Sequence, residues 1–256
     1  MKVSEETKKR QKRGKGVGAD YQPWIRTREF TRDSGIRSQV IDWKTGRQMH
    51  LLSLNEVHWF YQLRWRDDVI DIRERFPLDK TTTDYVADHL KVRKPTDIMT
   101  TDMLVTYIDK GFKKDKAYSV NNSESDVFGD IDSAQMKRRI ELLRIEMGYW
   151  HLKDTEYEIV FGDRQINAIY ADNIAAVVEM YNPNLVVSKQ DFLCFLIARK
   201  YLTIPTMATE PLNFPLLTNQ YVGTLEKRNE WIKKIAADNH VELPATLRSA
   251  IKAIGE

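Results

Sequence analysis

The run Asp102-Met103-Leu104-Val105-Thr106-Tyr107-Ile108 is followed by Asp109-Lys110-Gly111 and then by Lys116-Ala117-Tyr118-Ser119-Val120-Asn121. β-Branched and aromatic residues dominate both runs, and Asp109-Lys110-Gly111 between them is a turn signal, so the segment predicts a β-hairpin. Alternate residues of a strand share a face. On the second strand Ala117, Ser119 and Asn121 therefore point one way, and Tyr118 and Val120 the other.

Downstream, Ser133 to His151 has the clearest helical pattern. Met136, Ile140, Leu143, Met147 and Trp150 step by four, three, four and three, which predicts one continuous apolar stripe. Tyr157 to Phe161 reads as a short buried strand ending at Gly162. Upstream, Val69 to Phe76 reads as a short strand or extended segment stopped by Pro77, and residues 79–99 as a polar hairpin or loop. Ser53 with Glu56 three residues later, then Val57, Phe60, Tyr61 and Leu63, predicts a helix ending near Trp65. Asp20 to Arg47 reads as irregular, with a Trp24 anchor and turn signals at Asp33-Ser34-Gly35 and Lys44-Thr45-Gly46. Helix, hairpin, helix and strand in that order make an α/β pattern with a mixed sheet. From about Asp163 the chain turns mainly helical. Asn173–Tyr181, Lys189–Leu202, Leu225–Ala237 and Ala245–Ile254 are the candidate helices, and Pro205, Pro211 and Pro215 mark a loop or short strands. The domains expected are a basic flexible arm over 1–20, a catalytic domain over 21–165 and a C-terminal domain over 166–256.

No apolar run approaches the roughly 20 residues that span a bilayer. Met1 to Arg13 is too charged for a secretory signal. The single cysteine, Cys194, excludes an intrachain disulfide framework, and the five histidines have no zinc-like spacing. These features point to a reducing cytoplasm. The net charge of +3 is uneven. Residues 1–20 hold seven basic and three acidic groups, giving +4, and leave −1 for the remainder. With Gly14, Gly16 and Gly18 inside it, this arm suits a flexible strand that tracks phosphates through Lys8, Lys9, Arg10, Lys12, Arg13 and Lys15. Its plainer reading is a solvated tail.

Metal-dependent phosphodiester cleavage needs oxygen ligands for a hard cation and a group that activates or orients water. Glu56 on a helix, Asp102 at the mouth of a strand and the polar face of the next strand are the candidates. Each has a plain reading too. Ser53-x-x-Glu56 fits a capping box, Thr101-Asp102 fits a turn, and Ser119 and Asn121 fit ordinary edge-strand polar residues.

From Tyr21 to about Asn173 the chain resembles the TnsA endonuclease subunits of heteromeric cut-and-paste transposases. The stretches that carry the resemblance are Asp20-Tyr21-Gln22-Pro23-Trp24, Lys44-Thr45-Gly46-Arg47, His50-Leu51-Leu52-Ser53, Val69-Ile70-Asp71-Ile72-Arg73-Glu74-Arg75-Phe76-Pro77-Leu78, Met99-Thr100-Thr101-Asp102, Glu141 to Trp150 and Asp163-Arg164-Gln165-Ile166-Asn167. The resemblance implies a restriction-endonuclease-like domain followed by a mainly helical, winged-helix-like domain that contacts DNA and partners. It implies cleavage of the 5′ strands at double-stranded transposon ends, with a DDE-type transposase and an AAA+ regulator ATPase as partners and no membrane. Glu56 and Asp102 correspond to the family's acidic catalytic residues. Glu56, Asp102 and Val120 are the implied positions for Mg2+ or Mn2+, and Ser119 falls at the polar position before the valine. The family's lysine is replaced here by Asn121, or by Asn122 if the register slips by one. Asparagine carries no charge and cannot act as an acid or base near neutral pH. The leading expectation is an endonuclease subunit; Asn121 favours a catalytically silent DNA- and partner-binding assembly subunit instead, and a phage or restriction nuclease with the same domain is the third alternative.

Overall fold

The computed structural model describes residues 3–29, 36–129, 133–183, 186–239 and 244–254. The turn expected at Asp33-Ser34-Gly35 and the Lys2 end of the basic arm lie outside them. The chain divides into two compact units, Met1–Ile166 and Asn167–Glu256.

The first unit begins with helix α1 (Glu5–Arg10), capped by Ser4, whose hydroxyl accepts from the Thr7 amide at 3.3 Å. This corrects the expectation of a flexible arm. Arg13 is buried, donating to both Glu29 carboxylate oxygens at 2.6 and 2.7 Å and to the Trp24 carbonyl at 3.2 Å. Gly14, at φ +75°, sits where a Cβ would lie 2.2 Å from Pro77 Cγ. That glycine permits close packing; it does not confer looseness.

Strands β1 (Ser38–Ile41) and β2 (Gln48–Leu51) pair as an antiparallel hairpin. Helix α2 (Leu54–Trp65) starts at Ser53, whose hydroxyl accepts from the Glu56 amide at 3.1 Å. Then come β3 (Val69–Pro77), α3 (Lys80–His89), β4 (Thr100–Asp109), β5 (Phe112–Asn121), α4 (Ser125–Phe128), α5 (Ala134–Leu152) and β6 (Glu156–Phe161). The main sheet has the order β3-β4-β5-β6. The first two pairings are antiparallel and β5–β6 is parallel, α5 forming the crossover. This is the mixed sheet expected from the element order.

The two sheet faces are covered separately. Phe60 and Leu63 of α2 pack with Ile72, Met103, Val105, Tyr118 and Val160 on one side. Tyr149 and Trp150 of α5 pack with Leu104 and Ala117 on the other. The alternation of Ala117 and Tyr118 places them in opposite clusters, as a strand requires.

Two expectations need correction. Residues 79–99 are not a hairpin or loop throughout, since α3 occupies their first half. Asp79 caps it, accepting from the Thr82 amide at 2.8 Å, and Val86 and Ala87 pack on Ile145 of α5. A Cβ on Gly148 would lie 2.7 Å from Val86 Cγ1, so this glycine lets α3 and α5 approach. Within α5 the buried residues are Ile145, Glu146, Tyr149 and Trp150, while Met147 is 52% exposed. The apolar stripe counted through Met147 is therefore rotated away from the face that packs. The helix turns inward a carboxyl and a tyrosine, which a hydrophobic count leaves out.

The second unit contains α6 (Ala168–Val178), α7 (Lys189–Ala198), α8 (Phe214–Val222), α9 (Leu225–Asn239) and α10 (Ala245–Ala253). Pro215 lies in the first turn of α8, where a missing amide hydrogen costs nothing, so this part is helix and not loop or strand. From Phe192 to Ala198 every residue of α7 is buried. Arg228 is buried and donates to the carbonyls of Val222, Ile251 and Ile254, tying α9 to the ends of α8 and α10. No strand occurs among the described residues of this unit, so the hairpin of a winged helix has no counterpart among them. No described helix is long and apolar enough to cross a membrane.

A buried ion pair joins β2 to β3. Arg47 donates to both Glu74 oxygens at 2.8 and 2.7 Å, and Glu74 also accepts from the His50 amide at 3.0 Å. Removing one member leaves a buried charge uncompensated, at a cost of about 3–5 kcal/mol. Arg47→Ala should therefore lower the urea-unfolding free energy by about that amount, and the Arg47→Met, Glu74→Leu double variant by clearly less. Equal losses in both would show that packing, not charge, sets the effect.

Candidate functional site

Three elements bring the acidic candidates together. The cap at Ser53 starts α2 so that Glu56 turns inward at its first turn, where its Oε2 accepts from the Leu52 amide at 3.0 Å. Asp102 stands near the start of β4, with its Oδ2 accepting from the Val120 amide of β5 at 2.7 Å. Between them lies Arg75 of β3. Its Nη1 donates to Asp102 Oδ1 at 2.6 Å and its Nη2 to Glu56 Oε1. A single guanidinium thus bridges the two carboxylates. The side chains of Glu56, Arg75 and Asp102 are 5%, 11% and 16% exposed, so the group is largely withdrawn from water.

Arg75 is held in an unusual backbone conformation, φ +50°, within a strand. For a residue with a Cβ this left-handed region costs about 1–2 kcal/mol. The neighbours that hold it there are the Trp24 amide, which donates to the Arg75 carbonyl at 3.2 Å, and the two carboxylates. The Arg75 Nε hydrogen is buried without an acceptor. The guanidinium is aimed at the carboxylates at the expense of its own full hydrogen bonding.

The electrostatics follow from burial. Loss of water pushes the Glu56 carboxyl above its ordinary range, Arg75 offsets part of this, and Asp102 adds to it. The same two carboxylates hold the Arg75 guanidinium firmly protonated against its own burial. A third carboxyl, Glu146 of α5, is pushed up to about 8, first by burial and then by the charge on Asp102. It accepts from the Thr101 hydroxyl at 2.7 Å, and that hydroxyl accepts from Trp150 Nε1 at 2.7 Å. The Tyr157 hydroxyl lies beside Glu146 and Ser119.

Ser119 and Asn121 are both buried on the α5 side of β5, and the amide of Asn121 faces Ser119 at 3.4 Å. The Asn121 Oδ1 accepts from Arg139 of α5 at 2.7 Å. Asn122 is exposed and receives a hydrogen bond from Asn55 at 3.2 Å, so Asn121, not its neighbour, faces the buried polar group. Lys116 is engaged elsewhere, with Glu156 and Glu158 at 3.2 and 3.0 Å.

Glu56, Asp102 and the Val120 main chain are thus brought together, with Ser119 and Asn121 further along the same strand. The basic candidates of the amino-terminal segment are not presented alike. Arg10, Lys12 and Lys15 are exposed, Lys9 pairs with Glu5 at 2.5 Å, and Lys8 lies over the Trp24 ring. Arg13 is buried against Glu29 and is withdrawn from any surface. Arg75, Glu146 and Arg139 escaped the sequence reading. Arg75 sat inside an apparently regular strand, and Glu146 and Arg139 looked like the solvated side of α5. The adjacent opposite charges at Glu74-Arg75 offered the one signal for Arg75.

Among the described residues no three His, Cys, Asp or Glu side chains gather as a metal-binding group. The donor set still fits a hard divalent cation. Two carboxylates already converge on one cationic group, and oxygen donors from main chain, water or a phosphate commonly complete such a shell.

Residues 66–162 match the family model described as TnsA-like endonuclease N terminal. That span includes Arg75, Asp102, Ser119, Asn121 and Glu146, while Glu56 precedes it. The chain is also similar to the transposon Tn7 transposition protein TnsA of Escherichia coli, with 34% identity over 167 residues. The alignment covers 63% of this chain and 57% of that protein, so the chain spans under two thirds of its relative's length.

Glu146 gives the fold a defined pH dependence. Its folded value of about 8 lies above its ordinary 4.5, so the folded protein binds this proton more tightly than the unfolded chain. The stabilisation is fully present below 4.5 and is lost as the pH rises through about 8. Glu146→Gln keeps an acceptor for Thr101 and removes the titration. Its melting temperature should fall less than that of the parent between those two pH values, and parallel curves would remove Glu146 as the cause.

Proposed function

We propose that this chain, whose residues 66–162 match the TnsA-like endonuclease model, is the endonuclease subunit of a cut-and-paste transposase, cutting the 5′ strands at double-stranded transposon ends. The observation that carries this reading is the convergence of Glu56 and Asp102 on one cationic group beside β5. Glu56, Asp102 and the Val120 carbonyl are the proposed ligands for Mg2+ or Mn2+. When bound, such a cation supplies Lewis-acid polarisation of the phosphodiester and a more acidic water.

The chain's own residues supply the rest. Asn121 has no proton to exchange near neutral pH, so its part is to orient a water or phosphate oxygen through its amide. Its carbonyl side is held by Arg139, which leaves the NH2 facing Ser119. Glu146 is protonated below about pH 8 and adds no further negative charge to the place where phosphate arrives. A cleft of about 560 Å³ in the same unit is lined by Lys9, Lys12, Lys15 and Lys80 and by the acids Glu5 and Asp79, with Phe76 and Tyr149 among its walls. Cations at its rim suit a DNA backbone, whose binding then weakens steeply with salt. A DDE-type transposase and an AAA+ ATPase are the proposed partners, and the cytoplasm the proposed compartment.

Asn121 favours a second reading, an assembly subunit that binds DNA and partners without cutting. Nicking of an end-bearing plasmid with manganese, beside the partner transposase, separates the two. On the first reading the chain nicks, Asp102→Ala abolishes nicking, and Asn121→Lys raises it about 10²-fold or more, the scale of a positioned acid–base group. No nicking by the parent or by Asn121→Lys moves the assembly reading ahead.

A further inference from the structure

We propose that Arg75 is a resident cation lock on the Glu56–Asp102 pair, so that a divalent cation binds only when the guanidinium is displaced. This deepens the endonuclease reading and rests on it.

The geometry is specific. Arg75 spends both terminal nitrogens on the pair, one on Asp102 Oδ1 and one on Glu56 Oε1. The other oxygens of the two carboxylates are already occupied. Asp102 Oδ2 accepts from the Val120 amide and Glu56 Oε2 from the Leu52 amide. Glu56 Oε1 also accepts from the Ser53 hydroxyl at 3.3 Å, so the edge of the pair that faces Arg75 is where a bridging cation would meet the guanidinium. A divalent ion and a guanidinium cannot both bridge the pair, because like charges at ligand distance repel strongly in a site this dry.

The charge balance makes the exchange workable. Two carboxylates against one guanidinium leave one negative charge in excess when both are ionised. A divalent ion cancels the pair in full. The guanidinium is also poorly settled, with left-handed backbone and a buried Nε hydrogen that has no acceptor. Release of Arg75 therefore gives up two charge-assisted bonds but relieves two local costs. The lock has a structural use as well. Without it, two carboxylates would face each other in a nearly dry site whenever no metal is present.

The test is direct binding of manganese alone to the full chain, by calorimetry, comparing the parent with Arg75→Gln and Arg75→Lys. Loss of the competing charge-assisted bonds should tighten Mn2+ binding to Arg75→Gln about tenfold or more. Arg75→Lys keeps the charge and guards against a folding failure, but an ammonium is a point charge that cannot bridge as a planar fork does. It should bind more tightly than the parent and less tightly than Arg75→Gln. Adding Glu56→Ala to Arg75→Gln should abolish the gain. In the parent itself, Mg2+ should shift the Arg75 side-chain NH resonances. Equal affinity in all three proteins, dependent on Glu56, would overturn the lock and leave the metal-dependent reading standing. No Glu56-dependent binding in any of them would overturn both. Unshifted Arg75 resonances at saturating Mg2+ would overturn the lock on their own.

Discussion

The first unit depends on one constraint: β3 must bury opposite charges on consecutive residues. Glu74 is satisfied on one side by Arg47 and the His50 amide, Arg75 on the other by Glu56 and Asp102. Each partner comes from a different element, so the two residues tie the β1–β2 hairpin, α2 and β4 to a single strand. The amino-terminal segment joins the same strand. The Tyr21 hydroxyl donates to the Glu74 carbonyl at 3.0 Å, and the Trp24 amide to that of Arg75. Buried charges tolerate little misplacement, because each one left unpaired costs several kcal/mol, of the order of 3–5. The apolar clusters give the sheet its stability, and the charges give it one arrangement.

That arrangement fixes the site before any ligand arrives. Glu56 is oriented by its own helix start, by the Leu52 amide and by Arg75, and Asp102 by the Val120 amide and Arg75. Groups held on both sides by secondary structure lose little freedom on binding, which is the condition for precise positioning. The face of the sheet toward α5 adds a second layer, in which Trp150, Thr101 and Glu146 form a hydrogen-bonded line next to Asp102.

Much of this was legible in the residues. The hairpin, the capped start of α2 and the crossover helix follow from alternation, a Ser–Glu spacing and an apolar period. Asp102 and Glu56 were visible as acids at the ends of those elements. What stayed hidden shares one cause. Helix α3 lies in a polar stretch because only Val86, Ala87 and Thr83 need to face inward. The buried side of α5 was misjudged because a neutral carboxyl and a tyrosine take places that a count gives to Met147. The arm over residues 1–20 read as loose because glycines and lysines suggest it, whereas Arg13 and Gly14 are there to pack. Position-specific burial of polar groups depends on partners distant in sequence, and a linear pattern does not carry them.

The parallel pairing of β6 with β5 has a consequence for synthesis. A chain made from its amino terminus exposes β5 as a bare edge until α5 and β6 have followed. An unpaired edge of that length invites the same strand of another nascent chain. Lys113, Lys114 and Lys116 crowd the tip half of this strand, and like charges repel when two such edges meet. In the finished fold Lys114 pairs with Asp109, and Lys116 pairs with Glu156 and Glu158 of β6, so a cation that discourages a foreign strand also binds the one that belongs there.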